Sequence, residues 1–557
     1  MRLLDQAIPW KKSGLLWRAC GPIRVTSPSS SDSTSVYFIG LGGSGMLPLA
    51  RLARARGYRV RGSDAKLTES SIQSLQEEGL EAFAEPDPDR INDDLVVYST
   101  AISPEHPERQ KGGELQDQGK ARLLHRMDFL NTLVEHCEIR LGMAGTHGKT
   151  SSTALAGWLL LELDMEPLII AGGRPLYLER AIRNGHRIAV FETDESDGSF
   201  LKSNATHRLI LNADEDHLNY YGSFENLQKA FAEFAGQGLA IYNAGDPGLA
   251  PLKLKYASDA SMRDASGSDA SSSAPRTGAY EILKNREQCL ASDSFLAGYF
   301  PNDDDTLHFR IRADGAYQGT RSAGPASGDN GSVTESAQQF YSFRLGVPGR
   351  HFASNALGIL ALLLKAFPDL DLNRCLQAMA SFPGTERRLE LLGEYQGIPV
   401  YDDYGHHPSE IRAVLDALRQ RFPGQEVHVV FQPHRYTRTQ ELAPAFAESL
   451  LHADKVFLLP LYSAGEAPLE GVDSALIARH MPADRPATLL VGDDFSPVFA
   501  NAPEAGNDRE SLPEAMDAAR ERSADESGIH PGNASDRPIV LFLGAGDVSQ
   551  KARQLFE

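Results

Sequence analysis

Leu141 to Ser152, reading LGMAGTHGKTSS, constrains this chain more than any other stretch. It lies between a short apolar run, Glu138 to Met143, and an apolar-periodic run, Thr153 to Leu163. That order predicts a strand, a tight Gly-rich turn and a helix, as in a parallel α/β sheet. A helix starting on Gly148-Lys149-Thr150 aims unpaired backbone N–H groups and its positive dipole end at the turn. Lys149 adds a full charge and Thr150 a hydroxyl suited to Mg²⁺, so the segment reads as a phosphate cradle. The strict G-x-x-x-x-G-K-[ST] form is not met, because its first glycine falls on Met143. An ordinary strand-to-helix turn is the alternative, and Lys-Thr directly after the glycine argues against it.

A chain of 557 residues exceeds one core, and about two to four domains are expected. The formal net charge of −20 argues against a nucleic-acid partner, which most of the surface would repel. Local lysines and arginines can still line a cleft for an anionic small molecule. Cys20, Cys137, Cys289 and Cys375 show neither metal spacing nor a disulfide pattern, which fits a reducing cytoplasm. No apolar run reaches the roughly eighteen residues of a spanning helix. Met1 to Ser35 lacks the apolar core of a signal peptide and reads as a disordered, Ser-rich extension.

The first ordered unit opens with the strand Val36 to Ile39, then Gly40-Leu41-Gly42-Gly43-Ser44-Gly45, then a helical run, Met46 to Arg56. Gly40, Gly42 and Gly45 match G-x-G-x-x-G in its strand–turn–helix setting, with Asp64 where a ribose-binding acid belongs. NAD(P) is the obvious ligand, but the motif requires only a diphosphate at a helix N-terminus, and a nucleotide sugar satisfies it equally. Glycines that merely pack a helix on a strand are the plain alternative. The strand Leu95 to Tyr98 leads into a polar loop with Ser99 and Thr100, where ligands of such sheets sit.

In the second unit, Ile188 to Phe191 runs into Glu192-Thr193-Asp194-Glu195-Ser196-Asp197, and Leu209 to Leu211 into Asn212-Ala213-Asp214-Glu215-Asp216-His217. Acidic bursts usually mark solvated loops. Placed together past buried strands, on the edge that carries the phosphate loop, they suit Mg²⁺ held between two anions. Ser258 to Ser273, Gly319 to Gln338 and Ala502 to Asp536 are polar, low-complexity stretches that read as surface insertions. An apolar helix is expected from Ala356 to Ala366.

A third α/β unit starts near Gly384 and contains Val400 to Pro408, the strand Val427 to Phe431 followed by Gln432-Pro433-His434-Arg435-Tyr436-Thr437-Arg438-Thr439, and the strand Ile539 to Leu543. Arg435 and Arg438, at a strand end beside His434, suit a carboxylate or phosphate.

Taken in order, Gly40–Gly45, Gly145–Thr150, Glu192–Phe200, Asp402–Pro408 and Phe431–Thr439 resemble the Mur ligases, the ATP-dependent amino-acid-adding enzymes of peptidoglycan synthesis. The likeness runs over roughly residues 36 to 550, apart from the insertions. It implies three domains: 36–137, Rossmann-like and binding a uridine diphosphate sugar; 138–383, a central P-loop ATPase-type domain on a parallel sheet; and 384–557, Rossmann-like and binding the amino acid. It further implies that ATP phosphorylates the carboxylate of UDP-N-acetylmuramate and that the amine of L-alanine attacks the acyl phosphate. On the same ground Gly145, Thr146, His147, Gly148, Lys149, Thr150 and Ser151 cradle ATP, with Lys149 bridging phosphate and acyl oxygens. Thr150 resembles a ligand of one Mg²⁺, Glu192 and His217 ligands of another. Asn355 resembles an adenine contact, and Arg388 and Asp403 resemble phosphate and ribose contacts. Tyr404, His406, Arg435 and Arg438 resemble the L-alanine pocket, and Gly40, Gly42, Gly43, Gly45, Asp64, Ser99 and Thr100 form the sugar-nucleotide set. The implied protein is a cytoplasmic monomer or homodimer.

The chain departs from the family pattern at His351-Phe352, where a His-Asn pair is usual, and at Asn219, where an aspartate is common. Some relatives carry a lysine carbamate; no lysine here is assigned to it, Lys229 being only a nearby candidate. Other readings are a recycling ligase that adds a tripeptide to the same sugar nucleotide, an NAD(P)-dependent oxidoreductase, and a nucleotide sensor without chemistry.

Overall fold

The computed structural model describes residues 34–256, 277–301, 306–312, 339–500 and 537–557. The three polar insertions and nearly all of the N-terminal extension lie outside the described residues. Ser35, one residue before the expected start, already belongs to the first strand: its N–H and hydroxyl both donate to Asp94.

The first sheet has strands β1 (Ser35–Ile39), β2 (Arg59–Ser63), β3 (Glu81–Phe83), β4 (Leu95–Tyr98) and β5 (Arg122–His125). They run in the order β3-β2-β1-β4-β5, all parallel. The order reverses between β1 and β4, so the turn after β1 and the loop after β4 flank the crevice where ligands of such sheets bind. The two meet there, since a Cβ on Gly40 would lie 3.3 Å from the Ile102 side chain.

The second sheet comprises β6 (Ile139–Ala144), β7 (Leu168–Ile170), β8 (Ile182–Arg183), β9 (Ile188–Glu192), β10 (His207–Ile210), β11 (Leu239–Asn243), β12 (Thr277–Leu283), β13 (Leu296–Tyr299), β14 (Leu307–Ile311) and β15 (Phe340–Phe343). Its order is β15-β14-β13-β12-β11-β10-β6-β9-β7-β8. The strands around β6 are parallel, as the phosphate loop requires. Antiparallel pairings extend both edges, β7 with β8 and β13-β14-β15, so the whole sheet is mixed. Because β9 and β10 flank β6, the two acidic bursts emerge on either side of the phosphate loop.

The helix behind that loop, Lys149–Glu162, is apolar on almost every face, and Leu155, Leu159 and Leu160 are buried. Each such leucine contributes about 1.5–3 kcal/mol relative to an exposed one. The helix packs against Arg350–Ala366 and Leu372–Ala380, with Trp158 Nε1 donating to the Ala378 carbonyl at 2.7 Å. Gly157 leaves room for Ile169 and Tyr177. The phosphate loop thus stands on a helix locked from several sides.

The helix Arg350–Ala366 begins six residues before the expected Ala356, because Gly349, at φ +119°, turns the chain straight into it. His351 and Asn355 therefore share one helical face.

In the third sheet β16 (Glu390–Tyr395), β17 (Ile398–Asp403), β18 (Val427–Phe431), β19 (Lys455–Leu458), β20 (Thr488–Leu489) and β21 (Ile539–Leu543) run in the order β16-β17-β21-β18-β19-β20. Only the β16–β17 pair is antiparallel. Asp403, Leu543 and Phe431 are in register across β17, β21 and β18, so the loops that follow them lie side by side. Among the described residues no helix is long and apolar enough to cross a membrane.

Candidate active site

Gly145 and Gly148 have φ of +135° and +84°, conformations that L side chains avoid, which explains glycine at both positions. Gly148 caps the helix Lys149–Glu162. Asn212, past β10, clamps the loop: its Oδ1 accepts the His147 N–H at 2.8 Å and its Nδ2 donates to the His147 carbonyl at 3.1 Å. Asn355 approaches from the other side, its Nδ2 only 2.5 Å from where a Cβ on Gly148 would lie.

Lys149 Nζ donates to the Gly145 and Thr146 carbonyls at 2.8 and 3.2 Å and to Glu195 Oε2 at 2.8 Å. Asp194 is 4.0 Å away. Burial alone would lower the Lys149 pKa, but Glu195 and Asp194 reverse this and hold it above its ordinary value. Glu192, at the end of β9, accepts the Gly172 N–H and a hydrogen bond from Thr150. Burial pushes its pKa up, an effect only partly offset by Gly172, Lys149 and Thr150.

His217 has a left-handed backbone, φ +58°, at the start of Leu218–Tyr221. Its Nε2 lies 3.6 Å from Glu195 Oε1 and 3.6 Å from Asp216 Oδ2. The structure therefore joins Glu192 to Thr150, and His217 to Glu195. A carboxylate raised by burial beside a hydroxyl at the mouth of a phosphate cradle is an oxygen donor set that fits Mg²⁺.

Two residues after β4, Thr100 donates to Asp197 Oδ2 at 2.7 Å, and Arg126 Nη2 donates to Asp194 Oδ2 at 3.0 Å. These contacts tie the first sheet's ligand edge to the acidic burst beside the phosphate loop. Arg126 also overhangs the Gly-rich turn, its Nη1 only 2.7 Å from where a Cβ on Gly45 would lie. Gly40 N–H donates to the Ser63 carbonyl, and Gly43 N–H closes the turn on Gly40. Asp64 clasps the turn, accepting the Gly42 N–H at 3.0 Å and the Lys66 N–H at 2.9 Å. Ser99 accepts the Ile102 N–H at its carbonyl.

On the third sheet, buried Asp403 accepts the Leu389 N–H at 2.8 Å and the Gly405 N–H at 2.7 Å, and burial raises its pKa to about 6. Its carboxylate thus shapes the loop that carries Arg388 and Tyr404. The guanidinium carbons of Arg387 and Arg388 lie 4.8 and 5.2 Å from the centre of the Tyr404 ring. Tyr404 meets His406 edge-on at 5.2 Å, and His406 lies 5.9 Å from His434, which stacks on Tyr462. Burial lowers His406 and His434 to about 4, so both rings are neutral at pH 7. Arg435, at φ +72°, starts the helix Tyr436–Leu450. Among the described residues neither Arg435 nor Arg438 is ion-paired, which leaves two guanidinium groups beside a cluster of rings.

Models of the Mur ligase family match on all three sheets: "Mur ligase family, catalytic domain" over residues 35–135, "Mur ligase middle domain" over 143–274, and "Mur ligase, glutamate ligase domain" over 387–526. A UDP-N-acetylmuramate–L-alanine ligase of Bdellovibrio bacteriovorus is 33% identical over 471 residues, 82% of this chain and 90% of that one. The chain belongs to the Mur ligase family. Another UDP-N-acetylmuramate–L-alanine ligase, from Aquifex aeolicus, is 31% identical, covering 92% of this chain and 95% of its own. The crystal structure of a UDP-N-acetylmuramate–alanine ligase from Thermotoga maritima superposes with a TM-score of 0.65 at 23% identity, covering 94% and 98% of the two chains. This last likeness bears on the fold alone.

Sequence reasoning overlooked several residues that this Mur ligase places in the site. Glu195 and Asp194 were legible only as members of an acidic burst, although Glu195 holds Lys149. Arg126 sits at the start of a helix with no motif around it. Glu410, which reaches His147 from the helix Pro408–Arg421 beside the third sheet, has one local signal, its place three residues after His407 as a helix-capping acid. Lys229 is exposed on the helix Phe224–Gly236.

Proposed function

We propose that this Mur ligase joins L-alanine to the carboxylate of UDP-N-acetylmuramate with ATP, releasing ADP and phosphate, in the cytoplasmic stage of peptidoglycan synthesis. The observation that carries the reading is that the phosphate loop is tied to the first turns of helices on both other sheets. Lys149 shares Asp194 with Arg126 on one side, and His147 meets Glu410 on the other. A carboxylate brought by the sugar nucleotide, a γ-phosphate and an amine can then meet at one point. The names and extent of the relatives support this choice of substrates.

The first domain would hold the uridine diphosphate sugar at Gly40–Gly45, Asp64, Ser99 and Thr100, with Arg126 against the diphosphate. Gly145 through Ser151 would cradle the ATP phosphates, Asn355 would meet the adenine, and Arg388 and Asp403 would face the phosphates and ribose. Bound one at Thr150 and one at Glu192 and His217, Mg²⁺ ions would screen the charge of the two anionic substrates. Lys149 would follow the phosphoryl group as it passes to the carboxylate oxygen. The amine would then attack the acyl carbon, and the carbon–oxygen bond to phosphate would break. Tyr404, His406, Arg435 and Arg438 would orient the amino acid by its carboxylate. Phosphate release from ATP with UDP-N-acetylmuramate and a panel of amino acids tests the reading. L-Alanine should stimulate release most, and stimulation by NAD(P)-linked substrates alone would refute it.

A further inference from the structure

One side-chain network crosses from the phosphate loop to the third domain. His147 Nε2 lies 3.1 Å from Asp214 Oδ2, and its Nδ1 lies 3.2 Å from Glu410 Oε1. The other Glu410 oxygen accepts the His406 N–H at 2.9 Å and the His407 N–H at 3.2 Å, closing a capping box on the helix Pro408–Arg421. Ser409 Oγ donates to Asp214 at 2.9 Å and lies 3.2 Å from His147 Nε2 and 2.7 Å from His407 Nδ1. The His147 and His407 rings are 5.4 Å apart.

Ligand atoms of His147, Asp214 and His407 lie within 4.8 Å of one another, a spacing that could hold a metal ion. The Ser409 hydroxyl fills the point between them, however, and both His147 nitrogens already face carboxylates. The arrangement is satisfied as an ion network.

We propose that His147, held between Asp214 and Glu410, is a positioning residue that fixes the Tyr404–His407 loop relative to the phosphate loop and so couples the ATP site to amino-acid binding. The coupling acts through Glu410, whose two oxygens divide between His147 and the backbone of that loop. Burial disfavours the charged ring, but Asp214 and Glu410 overcome it and raise His147 to about 9 from an ordinary 6.5. His407 is the other titratable group against the ring; Arg388 and His406 act on Glu410, and Asp216 acts on His407. The imidazolium's contribution to the domain tie is therefore complete below about pH 6.5 and is lost as the pH rises through about 9, leaving the Ser409–Asp214 hydrogen bond.

The kinetic arm of the test rests on L-alanine as acceptor; the scattering arm does not. His147→Gln and Glu410→Gln should each raise the KM for L-alanine on the order of tenfold, the scale of a charge-assisted contact between domains. Glutamine at position 410 can still cap the helix. The double variant should be no worse than either single one, because one contact is removed in each. Multiplying effects, or an unchanged KM, would overturn the proposal. Small-angle scattering of the unaltered chain should show reversible expansion between pH 7 and pH 10 at constant far-UV circular dichroism. No expansion would also overturn it. Expansion in a chain that does not use L-alanine would uphold the tie and remove only the acceptor assignment.

Discussion

Lys149 Nζ lies 2.8 Å from Oε2 of Glu195, whose side chain is fully buried. Glu195 therefore aims the ammonium along the phosphate loop and keeps it charged. A charge that follows a transferring phosphoryl group acts mainly in the transition state. Lys149→Ala should cost on the order of 10²-fold or more in kcat, the scale of one preorganised electrostatic group. Glu195→Ala should lower both activity and thermal stability, since it leaves a crowded ammonium without its nearest carboxylate. Near-normal turnover by Lys149→Ala in a phosphate-release assay would remove the phosphate-loop assignment.

Glu192 and His217 reach the site from β9 and from the loop after β10, on either side of the phosphate loop. Removing either should raise the Mg²⁺ concentration needed for half-maximal activity, because the remaining ligands hold the cation less well. Mg²⁺ titrations of Glu192→Ala and His217→Ala that overlay the parent curve would make both ordinary loop residues.

The phosphate loop and its parallel strands were legible because strand, glycine turn and helix are encoded locally, within one stretch of chain. Strands β4, β18 and β21 were likewise readable at their observed bounds as short apolar runs. The partners of the site were not. Glu195 meets Lys149 only when the loops after β9 and β6 come together, Arg126 and Glu410 act only across sheets, and of the three only Glu410 has a local pattern, as a capping acid. The antiparallel edge strands β13–β15 are short, and the polar stretch Gly319–Gln338 separates β14 from β15, so their alternation is interrupted. The early start of Arg350–Ala366 was hidden because Gly349 at positive φ looks like a loop residue in sequence.

Arg126 overhangs Gly45 and pairs with Asp194 and Asp197. If the first domain holds a diphosphate on the Gly40–Gly45 turn, Arg126→Ala should raise the KM for UDP-N-acetylmuramate about ten- to a hundredfold. That range matches the roughly 1.5–3 kcal/mol of a hydrogen bond to a charged group. Tight NAD(P)H binding to the parent chain, with no uridine nucleotide binding by calorimetry, would reject the sugar-nucleotide reading.

His351, His406 and His434 are each lowered to about 4 from an ordinary 6.5, first of all by burial. In the unfolded chain they take up protons near pH 6.5, and in the folded chain only near 4. The unfolded state thus binds more protons in that interval, and stability should fall as the pH drops from about 6.5 to about 4. Denaturant midpoints across this range should fall less steeply for His351→Leu than for the parent. Equal slopes would show that His351 titrates normally.

On the proposed reading, Arg435 and Arg438 would decide what the acceptor can be. Arg435 caps the helix that follows β18 and Arg438 lies in its first turn, both without ion pairs among the described residues, beside the neutral rings of His406 and His434. A guanidinium fork can grip a free α-carboxylate with two hydrogen bonds and turn the α-amine toward the acyl phosphate. Tyr404 closes the space from the loop after β17, and Tyr462 lies behind His434. Glycine and serine should be poor substitutes for alanine, because one methyl or hydroxyl is worth only about 1–3 kcal/mol of discrimination. Arg435→Lys should raise the KM for L-alanine more than that for ATP, since lysine keeps the charge and loses the paired geometry. A direct competition between L-alanine and an L-alanyl tripeptide separates this enzyme from a recycling ligase. Preferential use of the tripeptide would reassign the acceptor and leave the ATP chemistry in place.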